Sequence, residues 1–401
     1  MRRFRRIGEK TVEGLLTVSG AATTIVILLI VVFLFKEGFG FFRSTTVEQG
    51  YVICLNSGNP VDRLSSVQIK EVFDYEIENW MDVGGLDEEI RVFRFDEIFS
   101  LYSEEELGED YELLSEKLGE VIGSSSGIIA FLPEEYAPRN QAGVKALPEE
   151  KINPADFFAG REWMPTATPS PQFGIFPLIM GTLWVSFFAI LIALPLGLGV
   201  AVYLSELAGE RTRKVLKPAI ELLAGIPSVV YGFFGLVVLV PMIQKVFNLP
   251  VGETAFAGSL ILAIMALPTI ITVAEDAMRN TPCAMKEASL SLGATHWQTI
   301  YRVIIPYASS GISAAVVLGI GRAIGETMAV LMVTGNAALI PHTLFEPVRT
   351  IPATIAAELG EAPAGGAHYQ TLFMLGCILF VITLIVSITS EMISKRRINN
   401  G

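Results

Sequence analysis

Long apolar runs set the rhythm of this chain. A bilayer core of roughly 30 Å takes about 20 helical residues to cross, and six stretches are long enough, read at 17–35, 176–204, 219–243, 255–274, 307–333 and 371–390. The pattern changes between the first and second. There, short apolar pieces are separated by turn signals at Asn59-Pro60, Gly84-Gly85 and Ser124 to Gly127. YVICL, IRVFRF and GIIAFLP read as strands, Ser65 to Phe73 as a helix with Val67, Ile69, Val72 and Phe73 apolar, and Glu104 to Val121 as an acidic helix. TATPSP, Thr166 to Pro171, reads as an extended linker into the second run. The expected fold is an all-α polytopic membrane protein of six transmembrane helices with an inserted α/β domain. The expected divisions are 1–43 (N-terminus and first span), 44–165 (insertion) and 166–401 (five-helix core).

Composition agrees: 51% of the 401 residues are hydrophobic and 17% charged, with a mean hydropathy of +0.52. This excludes an ordinary soluble domain. The first run follows Arg2, Arg3, Arg5 and Arg6, as a secretory signal would. It is long for one, and FKEGFGFF after it offers no small-residue cleavage site, so it reads as an uncleaved anchor. With six spans, the basic clusters at the N-terminus, at Arg211 to Lys217, at Arg279, Lys286 and Arg302, and at Lys395 to Arg397 fall on one side. The positive-inside rule makes that side, and both termini, cytoplasmic. The insertion is then extracytoplasmic.

Residues 44–170 hold 26 acidic and 9 basic side chains against a whole-chain charge of −12, so the rest of the chain is net positive. The acidity reads as a solvated surface that would mildly oppose an anion. Cys54, Cys283 and Cys377 allow no topologically sensible disulfide, and His296, His342 and His368 lack metal-ligand spacing. No metal, cofactor or nucleic-acid partner is expected.

The segment EASLSLGATHWQTIYRVIIP, Glu287 to Pro306, is half polar between two spans. Ala288, Leu292, Trp297, Ile300, Tyr301 and Ile304 offer apolar contacts on either side of Gly293, where positive φ is cheap, so two short helices can turn there into a knob. Such a knob suits a groove on a partner; a helix resting on lipid headgroups is the alternative. Glu287-Ala288-Ser289, three residues, Gly293, nine residues and Val303 to Pro306 resemble the EAA loop of bacterial ABC-importer permeases. Ser289 stands for the second alanine, and Val303 and Ile305 for the isoleucine and leucine of that pattern. The resemblance implies the type I permease fold and a role for Glu287, Ala288, Ser289, Gly293 and Pro306 in coupling to an ATPase. No GxxxxGK[ST] occurs in the chain, so ATP hydrolysis is expected on a partner and the chain is not expected to be an enzyme.

FFAGREWMPTATPSPQFGIFPLIMGTLWVS, GIPSVVYGFFGL and above all GIGRAIGETMAVLMVTGN resemble the PstC-like permeases of phosphate importers. The resemblance spans 14–43 and 155–401. It implies a plasma (inner) membrane location and an assembly with ABC ATPase subunits as a homodimer, a second homologous PstA-like permease and an extracytoplasmic phosphate-binding protein, with membrane lipid around it and inorganic phosphate as cargo. Arg322 and Glu326 are ionisable residues inside a span, which makes them functional candidates. Two readings stand. They face the pathway, Arg322 attracting the anion and Glu326 keeping the attraction from becoming a trap; or, four apart on a helix, they pair with each other. Thr334 and Asn336 are candidates for further polar contacts near the outer end.

Within the insertion, Asn59 to Phe95 and SSSGIIAFLPEEYAP followed by VKAL resemble part of a phosphate-binding-protein domain. After Arg94 that family continues with a G-S-G-T type turn that holds phosphate, where this chain reads DEIFS. The insertion is therefore expected to be a degenerate lobe that docks the binding protein or regulates access. Direct phosphate binding is disfavoured by the missing anion nest. A functional alternative for the whole chain is a phosphate-sensing or scaffold membrane protein that uses the permease fold and this lobe for signalling.

Overall fold

The structure is a computed structural model describing residues 2–139, 141–148 and 150–399; the side chains of 2–12, 109, 390, 391 and 393–399 lie outside the description. The basic clusters read at the two ends of the chain, at Arg2 to Arg6 and Lys395 to Arg397, fall among those side chains. Two compact units form. One combines residues 1–38, 176–362 and 372–401, the other 39–175 with 363–371.

The first helix, α1 (Arg2–Gly40), leads to the inserted unit. Its main sheet has the order β2-β3-β1-β4, from β1 (Tyr51–Asn56), β2 (Arg91–Arg94), β3 (Ile128–Pro133) and β4 (Val144–Ala146). β3 runs parallel to β2 and antiparallel to β1, which also pairs antiparallel with β4. Period-two alternation gives the sheet two dry faces. Val52 and Cys54 with Ile128, Ala130 and Leu132 look one way, while Ile53 and Leu55 with Ile129 look the other. One face is covered by α3 (Ile98–Leu101), α4 (Glu104–Leu107) and α5 (Leu114–Gly123), through Ile98, Leu107, Leu114, Leu118 and Ile122. The other is covered by α2 (Ser66–Phe73) and the buried Trp80. A short helix α6 (Pro154–Ala159) and the hairpin β5 (Trp163–Met164) and β6 (Gln172–Phe173) complete the unit.

Two expectations are corrected here. The acidic stretch 104–121 is not one helix: Gly108, Asp110 and Tyr111 take positive φ and split it into α4 and α5. Segment 166–171 is not a free linker but the connection of the β5–β6 hairpin. Its Ser170 is buried and donates to the Thr46 carbonyl at 2.7 Å.

The larger unit is built of helices, apart from a non-helical stretch at 334–350. It contains α7 (Phe176–Val202), α8 (Glu210–Gly225), α9 (Ser228–Phe234), α10 (Val240–Phe247), α11 (Ala255–Arg279), α12 (Cys283–Ser291), α13 (His296–Thr299), α14 (Ile305–Tyr307), α15 (Ser309–Gly325), α16 (Met328–Val333), α17 (Ile351–Glu358) and α18 (Ala367–Asn399). Among the described residues, five helical segments are long and apolar enough to cross a membrane: 13–43, 176–207, 228–247, 255–279 and 367–389. A sixth arises if the pair 296–307 and 309–325, bent by 70°, is counted as one. The all-α polytopic membrane unit with an inserted α/β domain is thus as expected.

Central to this unit is α11, whose apolar window is the most buried of the five. Glycines let its neighbours approach closely: a Cβ built on Gly197 of α7 would lie 2.8 Å from Ile270, and one on Gly319 of α15 would lie 2.9 Å from the same side chain.

Two spans depart from the expected ones at a break in the backbone. The third span starts at Ser228 rather than 219, because Pro227 forces Ile226 out of the helical region (ψ 128°) and ends α8 at Gly225. Tyr231 Oη donates to the Leu223 carbonyl at 2.8 Å, which also accepts from the Ile226 N–H at that end. The fifth, read as 307–333, is interrupted. α15 stops at Gly325, Glu326 is extended (ψ 132°), and α16 begins at Met328.

Candidate functional site

The knob read between Glu287 and Pro306 is formed by α12, a turn at Gly293, and α13 running into a π-helical turn, Ile300–Ile304. Gly293 has φ +82°. Its N–H donates to the Leu290 carbonyl at 3.0 Å and that of Ala294 to Ser289 at 3.2 Å, the paired bonds of a Schellman stop. The next helix starts at once, because Thr295 and Gln298 exchange capping-box hydrogen bonds. Ser289 Oγ and Thr299 Oγ1, 3.0 Å apart, tie the two arms together.

The apolar positions divide into two sets. Ile300 and Ile304 are buried against Ala201, Ala274 and Met278. Leu292 is 89% exposed and Trp297 61% exposed, and no residue of α12 is buried, Glu287 and Ala288 included. One side of the knob is therefore anchored in its own chain and the other is uncovered within it. Pro306 lies in α14, just before the bend into α15, and is exposed.

Charged residues brace the base of this knob. Lys286 of α12 donates to Glu206 at 2.6 Å. Glu275, 1% exposed near the end of α11, accepts from Arg213 at 2.5 Å and from Lys217 at 2.7 Å, and Lys217 also donates to Asp276 at 3.0 Å. The bond to Glu275, more than any other influence, holds the Lys217 ammonium above its ordinary pKa despite partial burial. This cluster fastens α8, which has no buried residue of its own, to α11. The only sequence signal for it is a basic i, i+4 pair, Arg213 and Lys217, alongside carboxylates at the tail of an apolar run.

At the interrupted span the geometry is the opposite. Arg322 Nη1 donates to Thr269 Oγ1 at 3.4 Å, and among the described residues no carboxylate lies within ion-pair distance of it. The helical pairing of Arg322 with Glu326 does not form, because the helix ends between them at Gly325. Glu326 turns instead to the start of α16, where its Oε1 lies 3.5 Å from the Ala329 N–H. Beside Arg322, Gly321 and Gly325 have nothing within 4 Å of a built Cβ, and Leu318 is 52% exposed. This face of α15 is bare in the single chain.

Thr334 and Asn336 are used by the fold itself. Thr334 is fully buried and its hydroxyl donates to the Val330 carbonyl at 2.9 Å. Asn336 takes φ +49° and its amide donates to the Leu331 carbonyl at 2.8 Å, closing the end of α16. The Thr334 hydroxyl and the Asn336 amide N–H are thus paired with carbonyls of α16, while the buried Oδ1 of Asn336 has no hydrogen-bond partner among the described residues.

Residues 193–399 match the sequence model of the binding-protein-dependent transport system inner membrane component family. The match spans α11, the knob and the interrupted span, in the order just described. The chain belongs to this family. Among its relatives, the probable ABC transporter permease protein YqgH of Bacillus subtilis is 40% identical over 258 residues, 64% of this chain and 83% of that protein. The phosphate transport system permease protein PstC of Mesorhizobium japonicum is 42% identical over 259 residues, covering 60% and 78%. PstC of Pasteurella multocida is 38% identical over 259 residues, covering 60% and 79%. Family membership makes the chain a multi-pass membrane component of a transport system, and the helical unit rather than the inserted lobe carries the match.

Proposed function

We propose that this chain is the permease subunit of an ATP-driven phosphate importer and forms half of its transmembrane pathway. The observation that carries this reading is Arg322, a guanidinium inside the spanning region with no carboxylate partner among the described residues, on a helix face left bare by Gly321 and Gly325. A permanently charged donor so placed favours an anion, and a bare small-residue face favours a second permease closing the pathway opposite it. Relatives named as phosphate permeases, aligned over most of their length, support phosphate as that anion. Glu326 at the break limits how tightly the anion is held.

Glu287, Ala288, Ser289, Gly293 and Pro306 form the coupling knob, whose uncovered side, with Leu292 and Trp297, is received by an ATPase homodimer. Both termini and the knob are cytoplasmic, and the inserted lobe faces the extracytoplasmic binding protein. The lobe supports docking better than phosphate binding. After β2 the Arg94 N–H already donates to Glu97 at 3.2 Å, and the Ser103 N–H and hydroxyl donate to Glu106 at 2.9 and 3.0 Å. Carboxylates thus occupy donors that an anion would need.

Vesicles holding the full assembly should take up radiolabelled phosphate on ATP addition; vesicles that hydrolyse ATP yet import none would refute the substrate. Gly293→Pro should abolish retention of the ATPase on purification, since the Schellman stop needs both positive φ and the Gly293 N–H. Retention at wild-type level would refute the assignment of the knob.

A further inference from the structure

The knob meets the rest of its chain in two ways. Its C-terminal arm is packed, with Ile300 and Ile304 against Ala201 of α7 and Ala274 and Met278 of α11. Its N-terminal arm, α12, buries nothing. Among the described residues α12 makes one ion pair with the body, from Lys286 Nζ to Glu206 Oε1 at 2.6 Å, with the Glu206 side chain only 6% exposed and that of Lys286 22% exposed. Glu206 belongs to the π-helical turn Tyr203–Leu207 that ends the second span. The end of this span is therefore held from both arms, by apolar contact at Ala201 from one and by charge at Glu206 from the other.

We propose that the Lys286–Glu206 ion pair is a strut that makes α12 and the second span move as one body when an ATPase displaces the knob. The proposal rests on the coupling role given to the knob above. Separating an ammonium from a carboxylate this buried leaves an uncompensated charge, so the pair resists opening and passes displacement on. The helix leading to Glu206 carries it inward: Gly197, nine residues earlier, is where α7 lies against Ile270 of α11. Without the strut, α12 keeps its chain connection to α11 and the Ser289–Thr299 tie to the other arm, but loses its ion pair to the second span. Lys286 and Glu206 are positioning residues, since neither touches nucleotide or cargo.

The test is a distance measured by pulsed electron paramagnetic resonance between spin labels at Leu290→Cys, on the side of α12 away from Ala288 and Leu292, and Leu196→Cys. Both positions are exposed. The chain, with Cys54, Cys283 and Cys377 replaced by serine, is assembled with its ATPase and compared before and after vanadate trapping. With the strut intact, and in Lys286→Arg, the distance stays unchanged on trapping. In Glu206→Gln and in Lys286→Met it shifts by about 2 Å or more, the scale of helix displacements in such transitions. The exchanged pair Glu206→Lys with Lys286→Glu restores the fixed distance. A distance that shifts as much with the strut intact as without it overturns the proposal, as does a fixed distance in both single variants. The readout needs no phosphate, so failure of phosphate uptake counts against the substrate alone. Loss of the ATPase on purification counts against the coupling role of the knob, and the strut falls with it.

Discussion

Two groups of charges in the helical unit are built in opposite ways. At the end of α11, Glu275 is buried and held by two cations from α8, Arg213 and Lys217. At the interrupted span, Arg322 and Glu326 are four residues apart, yet the chain breaks between them and each is left with one long, weak contact. Burying a charge is costly unless partners and hydrogen bonds are supplied, so the first group is what a structural role requires. A fold that could have paired Arg322 with Glu326 by continuing one turn of helix, and does not, keeps the guanidinium available. On the function proposed above, the difference separates charges that hold the chain together from those available to a cargo.

The largest effect on stability is expected from Glu275→Gln, which removes the shared carboxylate and leaves Arg213 and Lys217 facing each other. Breaking a buried pair in this way costs about 3–5 kcal/mol, to be read as a lower unfolding midpoint in detergent. Arg213→Gln alone should cost less, about 1–3 kcal/mol, because Lys217 still holds the carboxylate. A neutral outcome for Glu275→Gln would erase the contrast between the two groups.

A pH series sharpens it. The pKa of Lys217 is raised on folding, so its contribution is fully present below the ordinary lysine value of 10.5 and is lost as pH rises through the higher folded value. The hydrogen-exchange protection of α8, taken relative to the intrinsic base-catalysed rate, should therefore hold at neutral pH and fall only at strongly alkaline pH; loss of protection near neutrality would show that Lys217 is not the clamp. The smallest effect belongs to Glu326→Gln, which breaks no ion pair and should alter stability by no more than about 0.5 kcal/mol. A large loss there would make Glu326 structural.

Much of this architecture is legible in the sequence because apolar runs of membrane length carry their own signal. The strand alternation of 51–55 and 128–132 does the same for the inserted lobe. Breaks inside such runs are harder to see: Pro227 and the Gly325-Glu326 junction lie within apolar stretches whose periodicity continues across them. Hence the expected third span starts too early, and the pairing of Arg322 with Glu326 on one helix stands as one of two readings. Thr334 reads as a polar group in a span, yet its hydroxyl is spent on its own helix. The Lys286–Glu206 pair joins residues 80 positions apart, and nothing local to either one announces it.

The central claim is that Arg322 meets the anion. ATP-dependent uptake of radiolabelled phosphate, measured in vesicles of the full assembly for the wild type and Arg322→Gln with ATPase retention checked in both, tests it most directly. The account predicts that uptake is lost while the assembly stays intact. Uptake at the wild-type rate in the variant would contradict it and return Arg322 to a structural role.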